Sequence, residues 1–410
     1  MRSSTGRWVI GDDFFDRTAE LEILEARVGG RNHVLLSGQR RMGKTSVLRE
    51  LGRRLESEGW IVLFVDVEGA ASPEDAVADM AEATYRYRPL ASRFAEGMKR
   101  WFSDRVEEIG ASRFRLKVRA GLDAGSWRRY GERLLRDCAA QEKPVLLVID
   151  EMPILLKRML QRDGDAARVE EFLSWLRGAI QALGEQSPVL ILSGSIGLEP
   201  LVGRLGISDR VNYLDPFRLG PWERQTSVAC IERLAASHGL TIEGEVGEAV
   251  YASLGVGIPH HVQSFFARLR EHAIMQGRDV LRLEDVGEVY RNSLLGPSGQ
   301  SDLVHYETRL KEALDDESYS LAMEILAEAA VEGRFTVRAE SSLAALYGEL
   351  IEDAPRRIAD VLAVLAYDGY LEACEDGYRF PSRLLKDWWA ARFRGHHVAL
   401  QKRLSNAGRG

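Results

Sequence analysis

The sequence predicts an α/β fold built on a parallel β-sheet. Short apolar runs of strand length lie at 32–37, 60–65, 144–149 and 187–192, and a fifth strand is expected at 210–214. The first two runs flank a helical pattern that begins at Thr45, with apolar residues at 47, 48, 51 and 55. Strand, glycine turn, helix and strand in this order form a βαβ unit, from which parallel sheets are built. The length of 410 residues allows two or three domains.

Composition excludes several classes of protein. Hydrophobic residues make up 45% and charged residues 29% of the chain, which excludes a disordered polymer. Apolar runs such as 145–149 are far shorter than the ~20 residues that span a bilayer, and the N-terminus lacks the apolar segment of a secretory signal. Cys138, Cys230 and Cys374 are isolated, which argues against a disulfide framework or a zinc site. We therefore expect a soluble, cytoplasmic protein with no membrane partner.

A phosphate-binding motif connects the first predicted strand to its helix. Residues 38–45 read GQRRMGKT and fit the pattern G-x-x-x-x-G-K-[ST]. Backbone amides and the helix N-terminus bind phosphate, Lys44 neutralises the β- and γ-oxygens, and the Thr45 hydroxyl binds Mg²⁺. The expected ligands are ATP and Mg²⁺, although no base-specifying motif excludes GTP. The residues expected to bind nucleotide here are Gly38, Gln39, Arg40, Arg41, Met42, Gly43, Lys44, Thr45 and Ser46.

Two adjacent acids end the apolar strand 144–149. Two carboxylates in this position are costly to desolvate unless a cation lies opposite them. Asp150 is predicted to hold Mg²⁺ together with Thr45, and Glu151 is predicted to orient and deprotonate an attacking water. A plain strand-end turn is the alternative interpretation.

Further candidates follow the fourth strand. Ser193 and Ser195 place hydroxyls at its end, and we expect Ser195 either to sense the γ-phosphate or to cap the next helix. Arg204 and Arg210 are candidates for an arginine finger, and each is equally consistent with a surface cation.

A basic insert interrupts the acidic chain. The net charge is −7, but residues 86–136 contain 14 Lys or Arg against 6 Asp or Glu. Within it, residues 113–119 alternate between apolar and basic side chains, which predicts a strand with a basic outer face. Aromatic residues such as Trp101 and Phe102 lie among the cations, a composition that suits nucleic acid or an acidic protein as partner. The alternative is an amphipathic insert with buried aromatics and solvated cations.

Several of these motifs together resemble the archaeal-type ATPases of the STAND class, which are AAA-like signalling NTPases. The resemblance covers roughly residues 8–395 and is carried by 14–21, 38–45, 147–151, 194–195 and 200–204. It implies a P-loop NTPase core with the sheet order 5-1-4-3-2. It also implies that Arg17 lies near the adenine, that Arg204 rather than Arg210 is the finger, and that Pro259 of a helical lid packs against nucleotide.

The resemblance further implies a winged helix near the C-terminus. The pattern at 355–365 is helical, and 370–381 reads as a two-stranded wing. Residues 302–410 hold 19 acids against 14 bases, which favours protein contact over DNA unless the cations cluster. The expected domains are a core at 1–220, a lid at 221–296, a winged helix at 297–395 and a flexible tail at 396–410. The cations that would form a DNA-binding cluster are Arg356, Arg357, Arg379, Arg383 and Lys386.

The favoured function is an ATP-hydrolysing switch that couples nucleotide state to partner binding or self-association. The hydrolysis is expected to be slow in a monomer if Arg204 acts on a neighbouring subunit. A DNA-binding regulator or mobile-element or defence helper is the main alternative, and a nucleotide-binding scaffold without turnover is a third.

Overall fold

The computed structural model describes residues 1–2, 6–96, 110–194 and 198–407. The chain divides into two compact units. We call them the core unit, with ranges Val9–Gly38 and Lys44–Leu219, and the C-terminal unit, with ranges Met1–Trp8, Gln39–Gly43 and Gly220–Gly410.

The core unit contains a five-stranded parallel sheet in the order β2-β3-β4-β1-β5. This order confirms the prediction. All residues of β3 and β4 are buried, so both faces of the sheet are covered at its centre. The strands are β1 (Val34–Ser37), β2 (Ile61–Asp66), β3 (Val145–Asp150), β4 (Val189–Ser193) and β5 (Asp215–Arg218).

Helices connect these strands and supply the rest of the apolar core. Helix α2 starts at Lys44, directly after the glycine-rich loop, and Gly59 after its end has a positive φ of 95°. The helices are α1 (Thr18–Gly29), α2 (Lys44–Ser57), α3 (Pro73–Thr84), α4 (Arg88–Glu96), α5 (Ala111–Gly121), α6 (Trp127–Ala139), α7 (Met152–Asp163), α8 (Ala167–Ala182) and α9 (Leu198–Arg204).

The fifth strand was predicted too early. Residues 208–210 form a 3₁₀ turn, and β5 begins at Asp215. Its side chains alternate between half-buried and exposed, so it has no apolar run to reveal it. Pro216 cannot donate a ladder hydrogen bond, but β5 is an edge strand paired with β1, where proline is tolerated.

The prediction of a strand at 113–119 is wrong, because these residues lie in helix α5. Phe114 and Val118 are four residues apart and buried on one face, whereas Leu116 is 61% exposed. A strand would have placed all three on one side. The basic residues Arg115 and Arg119 instead pair with Asp79 and Asp75 of α3. Packing against an acidic helix therefore decided the conformation.

The C-terminal unit is mostly helical. Its first part confirms the helical pattern predicted from 222 to 292, with a short parallel pair of strands added. The elements are α10 (Arg224–Ser237), β6 (Thr241–Glu243), α11 (Val246–Leu254), α12 (Pro259–Met275), β7 (Val280–Arg282) and α13 (Leu283–Val289), followed by a π-helical turn (Tyr290–Leu294).

The second part of this unit holds a three-stranded sheet in the order β8-β10-β9. The hairpin predicted at 370–381 is confirmed by the antiparallel pairing of β9 with β10. The elements are α14 (Pro297–Ala313), α15 (Asp316–Val331), β8 (Phe335–Thr336), α16 (Val337–Tyr347), α17 (Ala354–Tyr367), β9 (Glu372–Cys374), β10 (Gly377–Arg379), α18 (Arg383–Phe393) and α19 (Leu400–Ala407).

Two segments whose composition predicts irregular structure contain helices instead. The stretch 296–301 reads GPSGQS, a composition that predicts a linker, but Pro297 occupies the first turn of α14, where a missing amide hydrogen costs nothing. The segment expected to be a flexible tail contains α19. The buried Leu400 donates its amide to Glu328 at 3.1 Å, and Arg403 pairs with Glu324 at 2.6 Å.

Candidate nucleotide site

The glycine-rich loop joins β1 to α2 in a conformation that favours glycine. Gly38 and Gly43 have positive φ values of 155° and 86°. A Cβ on Gly38 would lie 2.6 Å from the carbonyl oxygen of Leu219, so no other residue fits there without a shift. The space that a Cβ on Gly43 would enter is open to 4 Å, which leaves room for a ligand beside the backbone. The loop thus has the form needed to present its amides to phosphate.

Lys44 begins α2 and is buried. Its ammonium donates a hydrogen bond of 2.7 Å to the carbonyl oxygen of Gly38, at the other end of the loop. The lysine therefore lies across the turn that phosphate would occupy, as the motif predicts.

Thr45 and Asp150 meet at the carboxyl end of the sheet. The Thr45 hydroxyl donates to the Asp150 carboxylate at 2.8 Å, although 105 residues separate them. Asp150 is only 3% exposed, and burial, together with the negative charge of Glu151, raises its pKa. A hydroxyl and a carboxylate oxygen this close are suitable ligands for one Mg²⁺, and a cation would offset the burial of the carboxylate. The side chains present therefore fit the expected metal.

Glu151 follows in a left-handed conformation, with a φ of 61°, and precedes the first turn of α7. Its amide donates to the Asp150 carboxylate at 3.1 Å. Its side chain is half-exposed, unlike that of Asp150, so water can reach it. A half-exposed carboxylate beside the metal-binding residues is the arrangement that a general base requires.

The hydroxyl at the end of β4 that approaches Asp150 belongs to Ser193. This side chain is buried and is among the groups that oppose the rise in the pKa of Asp150. Ser195, the residue named from the sequence, lies outside the described residues. Sequence reasoning could not choose between the two because the choice depends on the register between β3 and β4.

The N-terminal segment contacts the start of α2 through its backbone. The amide of Val9 donates to the Ser46 hydroxyl at 3.1 Å, and the amide of Gly11 donates to the Glu50 carboxylate at 2.9 Å. The Ser46 hydroxyl thus accepts a hydrogen bond from the protein backbone. Backbone donors leave no signature in side-chain identity, so the sequence could not reveal them.

Arg17 is buried at the start of α1, with a left-handed φ of 67°. Its guanidinium pairs with Glu20 at 2.6 Å. This pair anchors the first turn of the helix. The role of Arg17 beside the adenine stays a prediction.

The two arginines considered as fingers differ in their surroundings. Arg210 pairs with Glu170 at 2.7 Å and with Asp209 at 3.0 Å. Arg204 is exposed at the end of α9. Arg204 is thus the more exposed of the two, since the Arg210 side chain is 33% exposed and lies against two acids.

Arg49 of α2 was not identified from the sequence. Its guanidinium lies 4.0 Å from the centre of the Phe64 ring. Burial lowers its pKa, while Asp150 and Asp66 act in the opposite direction. The signal available in the sequence was its position, four residues after Thr45 and so on the same side of the helix.

Within the C-terminal unit, the loop residues Gln39 and Arg41 contact two helices and the turn between α17 and β9. Arg41 contacts His260 at the start of α12 and lies 3.7 Å from Asp302 of α14. The Gln39 side chain lies over Gly369, where an added Cβ would approach it to 2.6 Å.

The lid motif predicted around Pro259 starts α12. Pro259 is buried in the first helical turn. Burial first, and the charge of Arg41 second, lower the pKa of His260 to about 2 and that of His261 to about 3. Both imidazoles are therefore neutral at physiological pH.

Among the described residues of the basic insert, several cations pair with acids of the same chain. Besides the pairs between α5 and α3, Arg128 pairs with Glu171, and Arg86 lies 3.5 Å from Glu56. Trp101 and Phe102 lie outside the described residues.

The C-terminal cations are also partly paired. Arg357 lies 3.0 Å from both Asp315 and Glu317. Arg379 pairs with Glu372 at 2.8 Å, and Arg383 lies 3.7 Å from Asp387. Arg356 is exposed and Lys386 is half-buried.

Comparisons with known proteins agree with this geometry. Residues 13–192 match the family described as the AAA ATPase domain. A Walker-type ATPase of Pyrococcus abyssi is similar in structure, with a TM-score of 0.60 and 18% identity over 95% of this chain and 99% of that chain. The ORC2 protein of Aeropyrum pernix, in ADPNP–ADP complexes, has a TM-score of 0.56 and 14% identity over 96% and 98% of the two chains. No protein of curated function matches the sequence.

The comparisons establish the α/β fold with a parallel five-stranded sheet that P-loop NTPase structures share, and they show that residues 13–192 are similar to the AAA ATPase domain. Over the part of the chain that the structure describes, no helix has both the length and the hydropathy needed to cross a membrane.

Proposed function

We propose that this protein binds and hydrolyses ATP with Mg²⁺ and acts as a STAND-type switch that couples nucleotide state to partner binding or self-association. The observation that carries the proposal is the hydrogen bond of 2.8 Å between Thr45 and Asp150, which brings the end of the glycine-rich loop to the tip of β3. This is the arrangement in which P-loop enzymes hold a metal ion against a triphosphate.

Each residue has a distinct role in this mechanism. The loop amides and Lys44 bind the β- and γ-phosphates, and Thr45 and Asp150 hold Mg²⁺, which neutralises charge on the phosphate oxygens when bound. Glu151 orients a water and takes its proton, and Ser193 supports the Asp150 carboxylate. Arg204 acts on the nucleotide of a neighbouring copy, a role that its exposure supports, so hydrolysis in the monomer is expected to be slow.

Two variants test this site. Lys44→Ala removes the ammonium that pairs with phosphate, and we expect ATP affinity to fall about 10-fold to 100-fold in calorimetry with Mg²⁺. Glu151→Gln retains the shape but not the base, and we expect binding to persist while hydrolysis falls about 10²-fold to 10⁴-fold. Lys143→Ala removes an exposed lysine and serves as the control. Wild-type ATP affinity in Lys44→Ala would refute the site, and parallel titrations with GTP define base preference.

A DNA-binding regulator is the second candidate, favoured by the C-terminal sheet. The order of helices α15, α16 and α17 around the three-stranded sheet β8-β10-β9 supports the proposal of a winged helix. A cavity of about 670 Å³ beside the hairpin is lined by Arg334, Arg379 and Lys386. The pairing of Arg357, Arg379 and Arg383 with acids of the same chain weakens this candidate.

Size measurements separate the two functions. We expect a change of assembly between ATP, ADP and no nucleotide, and no change on adding duplex DNA. Duplex binding at ~50 mM salt that weakens steeply with added salt would favour the DNA-binding regulator instead.

A further inference from the structure

Arg41 lies in the middle of the glycine-rich loop, and its guanidinium contacts helices α12 and α14 of the C-terminal unit, to which residues 39–43 belong. It contacts Nε2 of His260 and lies 3.7 Å from Oδ1 of Asp302. An arginine can only donate, so Nε2 of His260 must accept, and the imidazole is neutral with its proton on Nδ1. The low pKa of His260 agrees with this assignment.

The backbone of the loop is held together with the side chain. Arg41 has a φ of 69°, a left-handed conformation that a residue with a Cβ adopts only where its surroundings hold it. On the other side of Arg40, the Gln39 side chain lies over Gly369, between α17 and β9. The loop is therefore fixed at two points by the C-terminal unit.

A buried chain of side chains connects these two points. His261 follows His260, and its Nε2 lies 3.1 Å from the hydroxyl of Tyr306. Tyr306 lies on α14, four residues after Asp302. The Tyr370 hydroxyl, next to Gly369, donates to the Tyr306 carbonyl oxygen at 2.9 Å. Tyr306 and Tyr370 are both buried. The two contacts of the loop are thus joined by a continuous set of packed side chains.

We propose that His260 and Asp302 are positioning residues that hold Arg41 in the absence of nucleotide, and that a bound triphosphate competes with them for its guanidinium. This inference rests on the proposed nucleotide site. Arginine binds phosphate through charge-assisted, often bidentate hydrogen bonds, which are stronger than a bond to a neutral imidazole. Asp302 is 36% exposed, so solvent screens its attraction for the Arg41 guanidinium. The ion pair is therefore weak enough for a triphosphate to displace Asp302. Release of Arg41 then removes a contact from α12 and another from α14.

The test compares ATP affinity with turnover. Asp302→Asn weakens the hold, and we expect ATP to bind about twofold to fivefold more tightly, the range of a partly exposed ion pair, with unchanged kcat. Asp302→Glu keeps the charge and should retain wild-type affinity. Asp360→Asn changes an exposed aspartate of α17 and is the matched control. An Asp302→Asn protein with wild-type affinity would overturn the inference.

Hydrogen exchange supplies a readout that does not depend on turnover. We expect ATP to increase amide exchange at the start of α12 and in α14 of the wild-type protein, and we expect this difference to be absent in Arg41→Met at an ATP concentration that saturates the variant in calorimetry. An ATP effect that persists in Arg41→Met would also overturn the inference. Failure of the nucleotide site itself would appear differently, as absent ATP binding in the wild-type protein.

Discussion

The chemistry of the candidate site depends on one buried carboxylate. Asp150 ends a strand whose residues are all buried, and burial with the neighbouring Glu151 raises its pKa. The same burial makes a cation favourable beside it, because an unpaired buried carboxylate is costly. A bound cation would relieve the desolvation cost of the buried Asp150 carboxylate, and this relief favours metal binding at the proposed site.

The three cysteines are predicted to differ in reactivity. Cys138 and Cys230 are at most 1% exposed, and burial raises the pKa of the Cys138 thiol, whereas Cys374 is half-buried in the cavity that contains Arg334 and Lys386. Thiolate and access are both required for reaction. We expect one thiol per chain to react with Ellman's reagent in the native protein and three in urea.

Cys374→Ser is the control for this assignment and should leave no fast-reacting thiol. Rapid reaction of two or more thiols in the native protein would show that a buried cysteine is accessible, contrary to the structure.

At this scale the sequence predicted what is local. Lys44 and Thr45 belong to one motif, and Asp150 ends an obvious apolar strand. The sequence did not predict the contact of Arg41 with His260, because two residues 219 positions apart meet only through the packing of separate elements. Ser193 was considered, but its approach to Asp150 depends on strand register.

Among the elements, α6 and α8 meet at a glycine. A Cβ on Gly131 of α6 would lie 2.3 Å from the Trp175 ring of α8, which itself packs edge-on against Trp127 at 5.0 Å. The close approach requires the absence of a side chain. The absence of a side chain at Gly131 of α6 therefore makes the space that the Trp175 ring of α8 fills.

We predict that Gly131→Ala destabilises the protein by about 1–3 kcal/mol, because the tryptophan must move in a packed core. Gly178→Ala in α8 is the matched control. No atom lies within 4 Å of the added Cβ there, and removing a helical glycine should stabilise by about 0.5–1 kcal/mol. Urea unfolding of both variants measures the two effects. Equal stability of the two would contradict the close packing.

Element prediction failed where packing overrode local pattern. The alternation in 113–119 indicated a strand, but the acids Asp75 and Asp79 of α3 lie where the arginines of a helix reach them. Strand β5 was predicted too early in the sequence, because an edge strand needs no apolar run that would mark its position. Strands β1 to β4 and the hairpin were predictable, since burial on both faces and a tight turn leave strong local signals.

At the scale of the whole molecule, the ion pairs of the described residues offset part of the positive charge that the sequence places in the basic insert. The basic insert lies against acidic residues of the same unit, including Asp75, Asp79 and Glu171. A local excess of cations in sequence is therefore not an equal excess in space. This reduces the attraction for nucleic acid that the count alone implied.

Two histidines of α12, the half-buried His260 and the buried His261, predict how stability depends on pH. Both have pKa values lowered by burial, to about 2 for His260 and about 3 for His261, whereas in the unfolded chain each titrates near 6.5. Below pH 6.5 the unfolded chain binds more protons than the folded one, so the stability present at pH 7 and above is lost as the pH falls. By pH 5 we expect a loss of about 2 kcal/mol for each histidine.

Replacing one histidine should halve this contribution. His261→Gln removes one titrating group and retains an amide able to hydrogen-bond the Tyr306 hydroxyl, so we expect its stability to fall by about 2 kcal/mol less than that of the wild type between pH 7 and pH 5. Urea unfolding followed by the fluorescence of Trp388 and Trp389, which are buried in the same unit, measures the difference. His396→Gln, at an exposed position, is the control and should follow the wild-type profile. Because carboxylates elsewhere titrate alike in all three proteins, they cancel in the comparison. Parallel profiles for His261→Gln and the wild type would mean that His261 is already protonated in the folded unit or is exposed to water.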